Sequence, residues 1–229
     1  MGPEWLESLA RERAALGRSS VAERVAATLR DRIIEGELPP GTRLSEESIG
    51  RALGVSRNTL REAFHLLGHE RLVVHEFNRG VFVRSVDVAD IRDLYRFRRL
   101  LEGAAIAAAA GSSPDLQGLR DATAEGERAV TQRAWPALGS ANMHFHRELG
   151  ALAGSRRLDE TMEQVLAEMR LVFSVMADPH AFHAPYLAEN QKLLRLLEDE
   201  RYEEARAALA HYLDIAEAQL LRAMDSLAG

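Results

Sequence analysis

Val21, Val25, Leu29 and Ile33 recur every fourth position, the spacing that lines up side chains on one face of a helix. Gly36 and the run Pro39-Pro40-Gly41 end that helix, because glycine admits left-handed backbone and proline lacks a donor. Ser45 is placed to cap a short helix carrying Ile49, Ala52 and Leu53, since a serine hydroxyl accepts from the free amides of a first turn. Gly54 permits a tight turn. Ser56 caps a third helix whose inner face is Leu60, Phe64 and Leu67. After Arg71 the pattern changes. Leu72–Glu76 and Val81–Arg84 are β-prone runs around Phe77-Asn78-Arg79-Gly80, a hairpin whose Asn and Gly tolerate positive φ.

From Asp87 onward the helical period returns. Breaks near Gly111–Pro114, Pro136, Gly154 and Asp178–Pro185 divide the rest into about six helices, expected to pack as an antiparallel bundle. The fold class is therefore mostly α: an N-terminal winged helix-turn-helix followed by a C-terminal all-α antiparallel helical bundle. Residues 1–18 read as a charged arm, helical or disordered, residues 19–85 as the winged helix and residues 86–229 as the bundle. The boundary falls near Ser85–Val88.

Composition adds limits. The chain has 229 residues, 46% of them hydrophobic, enough for two domains with buried cores. No apolar run is long enough for a membrane span, which needs roughly 18 residues. The segment Met1–Leu16 is charged rather than apolar, against a secretory signal. There is no cysteine, so disulfides and thiolate metal sites are excluded and a cytoplasmic location is expected. Net charge is −6, at first sight poor for nucleic acid. It is uneven, however: 13 Arg face 12 acidic residues through Arg84, and 16 basic face 23 acidic residues thereafter. A near-neutral first domain can still carry a basic face.

That face is visible in the third helix. Arg57, Arg61 and His65 lie at i, i+4 and i+8 with Asn58 beside them, opposite Leu60, Phe64 and Leu67. Arg suits guanine O6/N7 and Asn suits adenine, and the second helix of such a turn enters the major groove. The alternative is a solvated stripe. The Gly54-Val55-Ser56-Arg57 turn and the hairpin after the helix favour double-stranded DNA.

Glu35–Val83, EGELPPGTRLSEESIGRALGVSRNTLREAFHLLGHERLVVHEFNRGVFV, resembles the DNA-binding domain of the GntR family of bacterial regulators. The resemblance implies DNA contacts from Ser56, Arg57, Asn58, Thr59 and Arg61 and a wing tip Asn78-Arg79-Gly80 in a minor groove, with Arg51 either a phosphate contact or a solvated residue. One departure is Arg71, where the family usually has glycine.

The second half is similar to the FadR-type FCD domain of that family in YRFRRLLEGAAIAAAA (Tyr95–Ala110), NMHFHREL (Asn142–Leu149) and Tyr186–Leu213. The resemblance implies a homodimer on a palindromic operator, and a bundle enclosing a small molecule. Many members hold a divalent metal with one Asp and three His and recognise a small carboxylate.

The residues point the same way independently. Arg98 shares a face with Ile91, Leu94, Leu101 and Ala105. Asn142 and His146 lie on or beside the Leu138, Phe145 and Leu149 stripe, Asn190 among Leu187, Leu194 and Leu197, and Tyr212 among Ala205, Leu209 and Ala216. Polar groups on core faces need partners, and a buried Arg needs an anion, so the five are the candidate effector site. Each has a structural alternative: Arg98 paired with Glu102, His146 a satisfied core histidine, Asn190 bonded to a carbonyl, the Tyr212 hydroxyl reaching solvent.

In the metal register, Asn142, Asn190 and Tyr212 stand where relatives have Asp and two His. His146 alone is a strong ligand, with Asn142 the nearest helper if a Zn or Ni ion is present. No cofactor is expected. His211 should point away from the site, and His180 and His183, expected in a connecting loop, are the histidines that could substitute as ligands. An enzyme is the rival reading, a small-molecule-converting all-α protein or a sensor without DNA binding. Against it, the chain has no glycine-rich phosphate loop, nucleophile elbow or HExxH motif.

Overall fold

Val25, Leu29 and Ile33 are buried along one face of α1 (Val21–Ile34) in the computed structural model, which describes residues 20–34, 36–173, 176 and 179–228. Val21 is exposed and Ala22 takes its place in the core. The N-terminal arm, residues 1–18, lies outside the described residues. α2 (Glu46–Leu53) begins at Ser45, whose Oγ accepts from the Ser48 amide at 3.2 Å, and closes on Gly54 at φ 66°. α3 (Arg57–His69) begins at Ser56 in the same way, through the Thr59 amide at 3.2 Å. Its Leu60, Phe64 and Leu67 are fully buried against α1.

The hairpin is β2 (Val73–Glu76) and β3 (Gly80–Val83), antiparallel, with Val73 opposite Val83 and Glu76 opposite Gly80. A third strand, β1 (Arg43–Leu44), pairs with β3, giving the order β1-β3-β2. Two residues carry no alternation, so this strand leaves no pattern in the sequence. Arg71 adopts φ 57°, the left-handed conformation glycine takes at little cost. The turn thus keeps its shape with an arginine in it.

Asp87 and Asp90 form a reciprocal cap on α4 (Val88–Ala109). α5 (Gln117–Thr131), α6 (Trp135–Ala151), α7 (Arg156–Phe173), α8 (Pro179–Glu198) and α9 (Tyr202–Ala228) complete the bundle. The expected break across Asp178–Pro185 is shorter than the sequence suggests. α8 starts at Pro179 and runs through Pro185, so His180 and His183 lie in a helix and not in a loop. An interior proline costs about 3 kcal/mol. Burial of Phe182 and Tyr186 offsets it, at about 1.5–3 kcal/mol for a large side chain.

The two halves share apolar packing. The core of the winged head includes Ala167 and Leu171 of α7, and Val86 packs against both cores. Among the described residues no helix is long and apolar enough to cross a membrane.

Candidate DNA-reading face and effector site

Arg57, Asn58 and Arg61 are all exposed on the outward side of α3. None has a hydrogen bond or ion pair to the described residues, so their donors are available to an outside acceptor. Ser56 and Thr59 are engaged with each other, their hydroxyls 2.9 Å apart, and hold the start of the helix. Arg51 is exposed and pairs with Glu47 at 2.8 Å. In the wing, Asn78 (φ 58°) and Gly80 (φ 110°) take the positive φ the turn needs. Arg79 pairs with Glu76 and lies over the Phe82 ring at 5.3 Å. Phe77, at the wing tip, is 90% exposed. It is the one apolar residue of the turn, and that is the signal by which it could be found. His65 of α3 stacks on His75 of β2 at 5.4 Å, joining the helix face to the wing.

Deep in the bundle, α4, α6, α8 and α9 bring Arg98, Asn142, His146, Asn190 and Tyr212 into one buried chain. Arg98 Nε donates to Glu102 Oε1 at 2.7 Å, and His146 Nδ1 lies 2.7 Å from Glu102 Oε2. His146 Nε2 is 2.9 Å from the Tyr212 hydroxyl, which is also 3.1 Å from Asn142 Oδ1. Asn190 Nδ2 donates to Asn142 Oδ1 at 2.8 Å. The pairing of Arg98 with Glu102, the structural alternative weighed from their spacing, is present, and Glu102 is the hub. What the sequence did not express is its second contact, to His146 of another helix.

Burial pushes the Glu102 carboxyl up, but Arg98 and His146 outweigh it and hold its pKa at about 2. Burial lowers His146, and Arg98 adds to this against the pull of Glu102. Burial drives the Tyr212 phenol well above its ordinary value. Arg98 and Glu102 are therefore charged at neutral pH, and His146 and Tyr212 are neutral.

The protons can then be placed. An ionised carboxylate only accepts, so His146 Nδ1 donates to Glu102 and Nε2 is left as an acceptor. The single Tyr212 proton has two acceptors in reach, Nε2 and Asn142 Oδ1. Asn190 Oδ1 has no partner at all. Conversely, Arg98 has five N–H donors, and its Nη1 meets only the Met169 sulfur, at 3.7 Å. The centre is short of donors on the amide side and short of acceptors at the guanidinium.

The set does not fit a transition metal. It offers one imidazole, two amides that already bond each other, a phenol that stays protonated, and the Glu102 carboxylate, whose two oxygens are taken by Arg98 and His146. Structural zinc sites take four ligands, chiefly imidazole, thiolate or carboxylate. His211 is exposed and points away from the centre. His183 is buried elsewhere, its ring edge-on to Phe173 and Phe182. The side chain of His180 lies outside the described residues.

A capped reading helix beside a wing, joined to a helical bundle with a buried polar centre, defines a ligand-responsive DNA-binding regulator. Comparison with known proteins agrees. The bacterial regulatory proteins, gntR family, match over residues 21–83 and the FCD domain over residues 93–214. The chain belongs to the GntR family of transcriptional regulators and carries an FCD effector-binding domain.

A crystal structure of a GntR transcriptional regulator from Rhodococcus sp. RHA1 is 45% identical. It covers 89% of this chain and 98% of that one, with a TM-score of 0.82. The Nta operon transcriptional regulator of Aminobacter aminovorans is 30% identical over 177 residues, 75% of this chain and 81% of that protein. An HTH-type transcriptional regulator of Mycobacterium tuberculosis is 36% identical over 101 residues. There the matching region spans 44% of this chain and only 41% of the relative's length.

Proposed function

We propose that this protein binds a palindromic operator as a homodimer, and that a small carboxylate-bearing metabolite in the polar centre of the bundle sets its operator affinity. The observation that carries the reading is the mismatch of donors and acceptors between Arg98 and Asn190. A carboxylate satisfies the remaining Arg98 donors, and a hydroxyl on the same molecule satisfies Asn190 Oδ1. A hydroxycarboxylate does both. No transition metal takes part, because the donor set is too weak to hold one. Occupancy favours one arrangement of bundle and heads, and operator affinity shifts with it. A repressor is the simplest sign of such control.

Metal analysis of protein purified without chelator, paired with a metabolite screen by thermal shift, tests the site. Less than a tenth of an equivalent of zinc, nickel or manganese is expected, on the order of adventitious binding for an incomplete ligand set. At least one hydroxycarboxylate should raise Tm in wild type and not in the Arg98→Met, Glu102→Met double variant, which leaves no lone buried charge, while both proteins bind operator equally. Near-stoichiometric metal lost in His146→Ala would overturn the metal-free site. An unchanged response in the double variant would move the anion anchor elsewhere.

The homodimer rests on α4. Phe97 and Leu100 are 41% and 68% exposed, and Ala104 and Ala107 continue the same exposed stripe. Small residues let helices approach closely, and two copies related by a two-fold axis match an inverted repeat. Wild type should sediment as a dimer at micromolar concentration and Leu100→Glu as a monomer. A monomeric wild type, with DNA present or absent, would refute this assembly.

A further inference from the structure

Phe77 opens the turn between β2 and β3, and its ring stands bare at the wing tip. A phenylalanine left in water forgoes the gain of burial, and the described residues give it no cover. The cations around it differ in what they can do. Arg79 is engaged by Glu76 and lies over the Phe82 ring. Arg43, on the neighbouring strand β1, is exposed and makes no ion pair among the described residues. It sits beside the turn, since a methyl group on Gly80 would lie 3.5 Å from Arg43 Nε. The tip therefore presents an uncovered ring with a free guanidinium behind it.

This tip is continuous with the reading face of α3. His65 of that helix stacks on His75 of β2. His65 follows Arg57 by eight residues, about 12 Å along a helix, and Phe77 lies two residues beyond His75, roughly 7 Å along a strand. Those lengths are enough to clear the phosphate ridge beside a major groove about 12 Å wide and to bring the tip to the neighbouring minor groove. A ring suits the gap between base pairs, and a free arginine suits the phosphate next to it.

We infer that Phe77 is an intercalating wedge: it enters one base step from the minor groove and bends the operator, with Arg43 on the adjacent phosphate. The inference rests on α3 as the element that reads DNA and is independent of any effector. Apolar wedges of this kind unstack a step and kink the duplex by roughly 20–90°. Pyrimidine–purine steps unstack most easily, so Phe77 adds sequence preference without a hydrogen bond.

Selection from a random duplex library, followed by energy transfer between dyes at the ends of the enriched duplex, tests the wedge in full-length protein. Wild type should enrich a TA or CA/TG step at a fixed distance outside the bases read by α3, and bend the duplex by about 20° or more. Phe77→Ala should enrich the same repeat without that step and lose most of the bend. It should bind about tenfold more weakly, the size of one lost base–aromatic stack. Phe77→Leu, still an apolar wedge, should keep most of the bend, and Tm should be unchanged in both variants because the side chain is exposed. Arg43→Ala should weaken enriched and scrambled duplexes alike. Failure of wild type to enrich any repeat would overturn the α3 reading and the wedge together. A repeat with no preferred step, or equal bending and affinity in Phe77→Ala, would overturn the wedge alone and leave the tip to a protein partner. A change in the sedimenting species of DNA-free Phe77→Ala would give the tip to a second copy of the chain and likewise overturn it.

Discussion

Glu102→Ala is expected to lower folding stability by about 3–5 kcal/mol, the cost of leaving one member of a buried ion pair alone. Arg98 and Glu102 are 3% and 0% exposed, so no water replaces the lost carboxylate. His146 loses the acceptor for Nδ1 at the same time. In a chain of this length such a loss lowers Tm by roughly 6–20 °C. The double variant Arg98→Met with Glu102→Met should recover most of it, because apolar residues of similar volume replace buried ion pairs at little cost.

The pH dependence follows from the same groups. Glu102 has a depressed pKa when folded, so its contribution is present above its ordinary value of 4.5 and is lost as pH falls towards about 2. His146 is depressed too, so stability begins to fall earlier, once pH drops below 6.5, the ordinary histidine value. Denaturant melts across pH check both points. A loss under about 1 kcal/mol in Glu102→Ala would mean that the pair does not hold the centre together.

Arg57→Ala and Arg61→Ala are each expected to weaken operator binding by about 1–3 kcal/mol, the range for an arginine that reads a base edge. Both side chains are exposed and unpaired within the described residues, so their removal leaves the fold intact and Tm unchanged. The effect should be largest for one operator sequence and small for random DNA. Arg51→Ala should instead weaken all duplexes alike and reduce the salt dependence, as expected of a phosphate contact. Titration on a selected operator and on a scrambled duplex separates the cases. Equal losses on both duplexes for Arg57→Ala and Arg61→Ala would make these residues backbone contacts only.

The parts of the fold legible in the sequence are those with a period. Leu60, Phe64 and Leu67 announce a buried helix face because helical geometry repeats, and so do the stripes that carry Arg98, His146, Asn190 and Tyr212. Polar residues on apolar stripes mark the centre in the sequence itself. What a stripe cannot express is which residues meet across helices. The role of Glu102 depends on His146, which comes from another helix, and the Asn142–Asn190 bond spans 48 positions.

β1 escaped because two residues cannot show alternation. The path of α8 through Pro185 escaped because local propensity opposes it and tertiary burial wins. The packing of Ala167 and Leu171 against the head was invisible because an Ala/Leu surface looks the same whichever neighbour covers it. Arg71 shows the converse: a residue disfavoured by its backbone conformation is retained where the surrounding turn dictates φ.

Selection of bound sequences from a random duplex library, by wild type and by the Arg57→Ala, Arg61→Ala double variant, tests the central claim most directly. Wild type should enrich one inverted repeat whose half-sites are about one helical turn apart, roughly 34–36 Å. The double variant should enrich nothing in common with it. No enrichment by wild type, or the same repeat recovered by the double variant, would contradict the assignment of α3 as the element that reads DNA.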